Sequence, residues 1–423
     1  MVTLMSVENE VVKVELEINI SGSMLDAEET LQKALNEAGI VVTREMLKRF
    51  DTDGSPILTG GIRWTAKGTV EKLYQTPYGA TLVARHVYQT YEGGKTFCPL
   101  DQAARIVVSS TPRFAKIVSH KVADSPTTVV QRDLEENHGR HVSRGFVHDV
   151  AEAVGAIAQA KEETWHYDTP EMACPIACVA ISMDGAIMRM RDDGWREAMT
   201  GTVALYDVTG KRQHTIYLGA APEYGKASFK ERMEREIAHV KRLYPEATYV
   251  GIADGALSNW RFLEAHTDCQ IIDFWHVTQY LGTVAQAVFP DCEAERVQWL
   301  DARCHVLKHE PGAAQRILTE MEQFAERTLA KAAKEDLDSA ITYFRNHHHQ
   351  MHYEAYRRQK LPIGSGVTEA ACKTLIKHRL CASGMKWLET GARMVLSLRA
   401  LVLTKDRWNQ FWSKIDRYGI SVA

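Results

Sequence analysis

The sequence contains no apolar run that approaches the roughly 20 residues needed to span a membrane. It also has no Cys-x-x-Cys pair, because its eight cysteines are scattered at positions 98, 174, 178, 269, 292, 304, 372 and 381. This spacing indicates neither a zinc ribbon nor a disulfide framework, and it fits a reduced cytoplasm. The first residues carry several acids and no basic segment, so no signal peptide is expected. We therefore expect a cytoplasmic protein with no membrane partner.

The net charge is small, −3 over 423 residues, and by itself predicts no nucleic-acid partner. The charge is unevenly distributed, however. Residues 1–60 contain eleven Asp or Glu and five Lys or Arg, whereas residues 371–417 contain ten Lys or Arg and three Asp or Glu. A local basic face can bind a phosphate backbone while the whole protein stays near neutral. The alternative is that charge simply varies along the chain.

Two short apolar segments each end in Asp-Gly, and the chain is best understood around them. The first is residues 178–186 (CVAISMDGA), with Asp184, and the second is residues 247–255 (ATYVGIADG), with Asp254. Each pattern predicts a buried β-strand that delivers one carboxylate to its C-terminal edge. An Asp-Gly at a strand end is often only a turn, but two in one α/β unit suggest two carboxylates brought together at one rim of a sheet.

The rest of the chain divides by pattern into further segments. Residues 1–60 form an accessory segment, with a strand over Val11–Ile20, a helix over Ala27–Ala38 capped by Ser23 or Asp26, and a helix over Arg44–Phe50 capped by Thr43. Residues 61–165 begin with a β-ribbon over 62–98, which is either a scaffold or a DNA contact. The other predicted segments are 174–276 (first part of an α/β core), 277–360 (helical insertion) and 361–423 (last part of the core and basic C-terminal helices).

A helix, a glycine-containing turn and a second helix are predicted within residues 128–157. This is the helix-turn-helix pattern, in which Arg140 and Arg144 would stand near the start of the second helix, where recognition helices touch bases. A plain helical domain explains the same pattern. We therefore expect a mostly helical region that contains a possible DNA-binding motif.

The α/β segment has a distinctive order of predicted elements. After the strand that contains Asp184 come strands over Met199–Tyr206 and His214–Leu218, a helix from Ser228 to about Tyr244, and the strand that ends at Asp254. A helix and a strand over 259–266 and 270–274 complete the unit. Three strands, a helix, a strand, a helix and a strand is the order of a ribonuclease-H-like core.

Two carboxylates at strand ends need a third group to hold two divalent ions. Glu369 is the best candidate, because it follows the Gly-Ser-Gly turn of residues 364–366 in the first turn of a predicted helix. Mg²⁺ prefers oxygen ligands and takes one or two carboxylates, leaving positions for water and a substrate phosphate. Two such ions stabilise both the attacking and the leaving oxygen of an in-line phosphoryl displacement.

Several motifs occur in an order that resembles a bacterial DDE transposase. These are Asp184-Gly185, Trp195-Arg-Glu197, Ile252-Ala-Asp-Gly255, Ile272-Asp-Phe-Trp-His276, Gly364-Ser-Gly-Val-Thr-Glu369, Lys377-His-Arg-Leu380 and Ser383-Gly-Met-Lys-Trp387. The chain is most similar to insertion-sequence transposases of the ISKra type, which are related to the Mutator-like superfamily. The resemblance covers roughly residues 95–412, most strongly 178–390.

The resemblance implies a ribonuclease-H-like (retroviral-integrase-like) fold interrupted by a helical insertion before the last acid. It implies that Asp184, Asp254 and Glu369 are the metal-binding triad for two Mg²⁺ or Mn²⁺ ions. Asp273-x-x-His276 is similar to the family's acid/Cys-x-x-His motif, so His276 would position the scissile phosphate or transfer a proton. The residues alone equally allow a hydrogen-bonded structural histidine at a strand end.

The residues after Glu369 are candidates for DNA contact. Lys373 and Lys377 stand one helical turn apart and share a face, and with Arg379 and Lys386 they would bind phosphates near the cut. Trp387 would stack on a flipped or terminal base. The alternatives are a solvated helix face and a tryptophan buried in packing. The histidines at 347–349 with His352 form either a polar helix surface or, with less support, a zinc site.

Taken together, these features predict an enzyme that cuts double-stranded DNA at transposon ends and joins the ends to target DNA. Because two ends require two active sites, a homodimer or larger assembly on DNA is expected. One alternative is a ribonuclease-H-like nuclease without strand transfer. The other is a domesticated DNA-binding protein whose catalytic centre is idle.

Overall fold

The computed structural model describes residues 2–223 and 226–420, which fold into a mixed α/β protein. The chain packs as two compact units. The first unit contains residues up to Asp168 together with 393–402 and the residues from Asp406 onward. The second contains Thr169–Ala392 and Leu403–Lys405. Among the helices described, none is long and apolar enough to cross a membrane.

The first unit contains two antiparallel sheets separated in sequence by one helix. The expected strand near Val11 and the expected β-ribbon over 62–98 are both present, whereas the first strand was not predicted. The hairpin consists of β1 (Val2–Glu8) and β2 (Val11–Leu16), and after α1 (Met24–Lys48) the four-stranded sheet has the order β3 (Ile57–Thr59), β4 (Ile62–Gln75), β5 (Ala80–Thr90), β6 (Gly93–Phe97).

Helix α1 is one continuous helix, and the prediction of two helices broken before Thr43 was wrong. Its N-terminus is fixed by a capping box, in which Ser23 Oγ accepts from Asp26 N and Asp26 Oδ2 accepts from Ser23 N. The helix continues through Gly39, where a side chain would overlap the ring of Tyr78. Packing of Tyr78 directly on the helix backbone therefore offsets the weak helix propensity of glycine.

The helical part of the first unit has the predicted helix–turn–helix arrangement. Its helices are α2 (Pro99–Ala103), α3 (Pro112–Asp124), α4 (Thr127–His138) and α5 (Arg144–Lys161). Helix α4 ends at Gly139, which adopts a left-handed conformation with φ 58°, and Ser143 caps α5 by accepting from Phe146 N. The predicted helices and their signals are confirmed. A helix-turn-helix and a plain helical domain share these elements.

The second unit is built around a five-stranded mixed sheet with the order β11-β10-β7-β8-β9. Strands β7, β8 and β9 are antiparallel neighbours, whereas β10 is parallel to both β7 and β11. The order of elements along the chain is the one predicted: β7 (Ile176–Arg189), β8 (Trp195–Asp207), β9 (Arg212–Ala220), α6 (Ala227–Leu243), β10 (Thr248–Ala253), α7 (Leu257–His266), β11 (Cys269–Ile272).

The central strands are buried on both faces because helices cover the sheet. Residues 198–207 of β8 are all buried, and so are residues 178–183 of β7. Helix α6 contacts β8 and β9, and α7 contacts β7, β10 and β11. A continuous apolar run is what a strand covered on both sides requires, and the sequence has this pattern. The sheet is consequently a rigid base for the polar residues at its edge.

The remainder of the second unit is helical, as predicted for residues 277–360. Its helices are α8 (Phe274–Val288), α9 (Glu293–His309), α10 (Ala313–Phe324), α11 (Lys331–His347) and α12 (Tyr353–Arg358), with a 3₁₀ turn at His348–Gln350. After residues 364–366 a second helical run follows, and its middle is a π-helix that the sequence did not predict. It consists of α13 (Gly366–Ala371), the π-helical Cys372–Lys377 and α14 (His378–Leu380).

The basic C-terminal region forms α15 (Glu389–Leu403) and α16 (Arg407–Tyr418). Much of it belongs to the first unit, although the sequence grouped it with the α/β core. Arg399 Nη1 donates to Ala123 O over 2.5 Å, and the rings of Trp165 and Phe411 lie 5.8 Å apart. These contacts hold the C-terminal helices against the helices of the N-terminal region.

Candidate active site

Strand register brings three acidic residues to one level of the large sheet. Ile252 of β10 pairs with Ser182 of β7, and Asp254 and Asp184 each stand two residues further along. Ala253 of β10 pairs with Ile272 of β11, and Asp254 and Asp273 each stand one residue further along. Because all three strands are parallel, continuing this register would place Asp184, which lies within β7, level with Asp254 and Asp273, which directly follow β10 and β11.

Asp184 lies within β7, and not at its end as the sequence predicted. The strand continues to Arg189 and forms a hairpin with β8, in which Asp184 pairs with Thr200. The prediction failed because Gly185 resembles a turn residue, although here it is simply part of the strand. The pairing with β10 does stop at Ser182. Asp184 therefore stands where the parallel part of the sheet ends, which is the position the prediction required for its function.

The Asp184 carboxylate contacts the helical run that contains Glu369. Its Oδ1 accepts from Gly185 N over 2.7 Å, and the thiol of Cys372 donates to its Oδ2 over 3.3 Å. Burial, with a contribution from the Asp184 carboxylate, raises the pKa of the Cys372 thiol to about 12, so the thiol stays protonated at neutral pH. Nearby, the hydroxyls of Thr202 on β8 and Thr368 on α13 are hydrogen-bonded at 2.6 Å. These contacts bring α13 onto the face of β7 and β8.

Asp273 is fully buried and all its acceptor positions face donors. Its Oδ1 caps α8 by accepting from Trp275 N over 2.7 Å and from His276 N over 3.0 Å. Its Oδ2 accepts from the backbone N–H of Ser365 and, over 2.5 Å, from the Ser365 hydroxyl. One carboxylate thus joins the start of α8 to the turn that precedes α13. The sequence pointed to this residue only as part of the Asp-x-x-His motif.

Glu369 and His276 are brought together by that connection. His276 Nε2 lies 3.8 Å from Glu369 Oε1, and Ser365 Oγ lies 3.4 Å from the same oxygen. The Glu369 and His276 side chains are 39% and 33% exposed, so both can reach a substrate. Asp273, Ser365, Glu369 and His276 form a closed ring of contacts. The residues that the sequence selected on separate elements are therefore neighbours.

A fourth acidic residue lies next to Gly185, on the face of the sheet opposite to the Asp184 side chain. Glu197 of β8 packs against Gly185, and its Oε2 forms an ion pair of 2.6 Å with Lys226. The sequence analysis quoted Glu197 only within a motif and gave it no role. This pair is partly exposed and lies on the other face of the sheet from Asp184, so it is not part of the candidate site.

The described residues, 2–223 and 226–420, contain no group of three or more His, Cys, Asp or Glu side chains placed to hold a metal ion. The expected three-carboxylate ligand set is thus not gathered, since Glu369 is turned toward His276. Asp184 and Asp254 carry oxygen donors of the kind that a hard divalent cation prefers, and Asp254 is exposed. Mg²⁺ needs only one or two protein carboxylates when water and substrate complete its coordination.

The lysines predicted to contact DNA are exposed, whereas two other candidates serve the fold. Lys373, Lys377 and Lys386 are exposed. Arg379 is only 4% exposed, and its guanidinium lies 5.1 Å from the ring of Trp387. Trp387 is half-buried and donates from Nε1 to Leu380 O over 2.8 Å. With one face covered and its polar atom bonded, Trp387 is a packing residue, and Arg379 is not available to bind phosphate.

Of the two arginines in the first unit that were predicted to contact DNA, only Arg144 is exposed. Arg140 is 5% exposed, donates to Thr76 O over 2.9 Å and to Gln75 Oε1 over 2.6 Å, and lies over the ring of Phe114. Its burial lowers the pKa of the guanidinium. The prediction of Arg140 as a DNA contact is therefore wrong, because its side chain links the α4–α5 turn to the β4–β5 sheet.

The histidine run lies beside the core and forms no zinc site within the part of the chain that the structure describes. His347 Nδ1 is 3.0 Å from Gln350 Oε1, and its ring is 4.9 Å from that of Tyr343. Tyr343 in turn donates its hydroxyl to Asp254 O over 3.0 Å. The helical insertion thus supports the turn that carries Asp254.

Comparison with known proteins adds no further assignment. No protein-family model matches this chain, and no curated protein matches it either.

Proposed function

We propose that this chain is a DDE transposase with a ribonuclease-H-like core, which cleaves double-stranded DNA at transposon ends and transfers the cut strands to target DNA. The single observation that carries the proposal is the register of the parallel strands β7, β10 and β11, which, continued by one or two residues, would put Asp184, Asp254 and Asp273 at the same level of the sheet. The order of three strands, a helix, a strand, a helix and a strand supports the same core. Helices α8–α12 stand where a helical insertion before Glu369 is expected.

Asp184 and Asp254 would hold Mg²⁺ or Mn²⁺, and Glu369 would supply the third carboxylate of a two-ion site. When bound, such ions provide Lewis-acid stabilisation of the attacking and leaving oxygens. In this proposed mechanism no side chain of the protein acts as a nucleophile. The carboxylates bind and orient, and water or a DNA 3′-hydroxyl makes the attack.

His276 is the residue proposed to contact the scissile phosphate. Its backbone N–H is fixed by Asp273, so the imidazole is presented from the first turn of α8. Its Nε2 lies 3.8 Å from Glu369 and is partly exposed, which suits either a hydrogen bond to phosphate or a proton transfer. The exposed Lys373 and Lys377, on the helical run that follows Glu369, would bind the DNA backbone, and so would the exposed Lys386 and Arg144.

The reaction requires two transposon ends to be processed together, so we expect two copies of the chain on DNA. Light scattering of the protein bound to paired ends tests this point. A complex that contains a single copy of the chain with both ends would contradict it.

The test of the proposal is a cleavage and joining assay. Labelled duplexes from the DNA that flanks the encoding gene are incubated with protein and Mg²⁺ or Mn²⁺, and the products are resolved on denaturing gels. We expect cuts at the ends and joined products, both lost in Asp184→Asn. The exposed Asp193, in the turn between β7 and β8, provides the matched control Asp193→Asn, which should retain activity. Unchanged cleavage by Asp184→Asn would overturn the assignment.

Two other functions remain as alternatives. Cleavage without joined products would identify a ribonuclease-H-like nuclease, which would use the same residues. One observation favours the other alternative, a DNA-binding protein with an idle centre: Glu369 contacts His276, and the described residues hold no three-ligand metal group. DNA binding without nicking in either metal would establish that alternative.

A further inference from the structure

Trp275 is a large aromatic side chain at the candidate active site, and it is exposed. It is 58% exposed, although Asp273, two residues before it, and His276, directly after it, belong to the ring of contacts around Glu369. We infer that Trp275 is a stacking platform for a nucleotide base next to the cut. This inference rests on the proposed function, and it names the residue that would hold the base.

Hydrogen bonds fix the backbone of Trp275, and its indole packs against the turn before α13. Its backbone N–H donates to Asp273 Oδ1, and its carbonyl accepts from the Thr278 hydroxyl over 2.7 Å. The five-membered ring rests on the turn before α13, where a Cβ at Gly364 would come within 3.1 Å of Trp275 Cδ1. A larger residue at position 364 would push the indole away by a few tenths of an ångström. The remainder of the ring is exposed to solvent.

The surroundings of Trp275 favour a base over a protein partner. Its neighbours on the outer side of α8 are polar, with Gln279 exposed and Thr278 partly exposed. A protein interface of this kind usually presents a larger contiguous apolar area. Every nucleobase has a π-face, and stacking on an aromatic side chain is tolerant of sequence. A base on Trp275 would bring its phosphate near His276.

Trp275 replaces Trp387 in the role that the sequence suggested for an aromatic residue. Trp387 is half-buried, with Arg379 over its ring and its indole N–H bonded to Leu380 O. Among the described contacts of Trp275, no cation lies over its ring and no acceptor is bonded to its indole N–H. A second exposed tryptophan, Trp195, is 66% exposed at the end of the β7–β8 hairpin, where it pairs with Arg189. It provides a matched control of the same residue type and exposure.

The experiment compares the full chain with Trp275→Ala, Trp275→Phe and Trp195→Ala. The probe is a duplex of the flanking DNA with a single-stranded overhang that carries 2-aminopurine, whose fluorescence is quenched by stacking. We expect Trp275→Ala to weaken binding by about 5- to 140-fold and to abolish the added quenching. Trp275→Phe should retain part of both, and Trp195→Ala should match wild type. Circular dichroism confirms that the variants fold, as expected for an exposed position.

The outcomes separate this inference from the proposed function. If wild type binds and cuts DNA while Trp275→Ala binds and quenches as wild type does, the stacking role is wrong and the proposed function stands. If Trp195→Ala produces the same loss as Trp275→Ala, the effect is not specific to the site and the inference also fails. If wild type binds no DNA, both the inference and the proposed function are overturned.

Discussion

Replacing Asp273 with asparagine changes one atom of a fully buried carboxylate, and its effect can be worked out from four hydrogen bonds. An asparagine oxygen can still cap α8 by accepting from Trp275 N and His276 N, since Asn and Asp are similar as N-caps. Its NH₂ group, however, then faces the backbone N–H of Ser365, which loses its acceptor while buried. The Ser365 hydroxyl can rotate and accept from the new donor.

The unsatisfied Ser365 N–H and the loss of charge-assisted bonds together cost roughly 2–4 kcal/mol of the free energy of unfolding. The measurement is urea-induced unfolding of the full chain, followed by circular dichroism, with Asp192→Asn as an exposed control. The control should lie within about 0.5 kcal/mol of wild type. A loss below about 1 kcal/mol for Asp273→Asn would refute the account of Asp273 as the link between α8 and the turn before α13.

Two further predictions concern the fold outside the site. Hydrogen bonds, chiefly from the Thr209 hydroxyl, lower the pKa of Asp207 to about 2. The contribution of the ionised Asp207 to the free energy of unfolding should therefore be complete above about pH 4 and lost as the pH falls toward 2. Urea midpoints across this range should converge for wild type and Asp207→Asn, and a constant difference would contradict the prediction. Arg140→Ala should lower the free energy of unfolding by about 2–4 kcal/mol, measured by thermal or urea unfolding. The control Arg144→Ala should lower it by less than about 0.5 kcal/mol. Equal losses in the two variants would contradict the burial of Arg140.

The strands that carry Asp184 and Asp254 were predictable from the sequence because their signals are local. A short apolar run that precedes an acid is visible in about ten residues, and burial on both faces requires that pattern. The residue at which β7 ends was not predictable from such a local pattern. Residues beyond Gly185 form a strand because β8 pairs with them, and the sequence of β7 alone does not contain that information.

The contacts that complete the site depend on residues far apart in sequence, and this explains what was missed. Ser365 is 92 positions from Asp273, and Cys372 is 188 positions from Asp184. Arg140 looked like a residue at the start of a recognition helix, but its partner Thr76 is 64 positions away. Local patterns identified which residues are candidates for a site. Only the fold shows which of them are exposed to a substrate and which are used for packing.

The exposed tryptophan is an instructive case. Trp275 and Trp387 are both aromatic residues close in sequence to a predicted catalytic residue, and composition does not distinguish them. Packing does, because the ring of Trp387 is covered by Arg379 whereas that of Trp275 faces solvent. The stacking role is therefore assigned to Trp275 because its ring is the more exposed of the two.

The most direct test of the central claim is a metal-rescue measurement on Asp254→Cys. Asp254 is exposed and follows β10, so cysteine replaces an oxygen donor by a sulfur donor without disturbing the core. If Asp254 binds the catalytic ion, single-turnover DNA cleavage should be lost with Mg²⁺, which prefers oxygen, and restored in part with Mn²⁺ or Cd²⁺. Wild-type cleavage by Asp254→Cys with Mg²⁺ would contradict the claim that this carboxylate holds the metal.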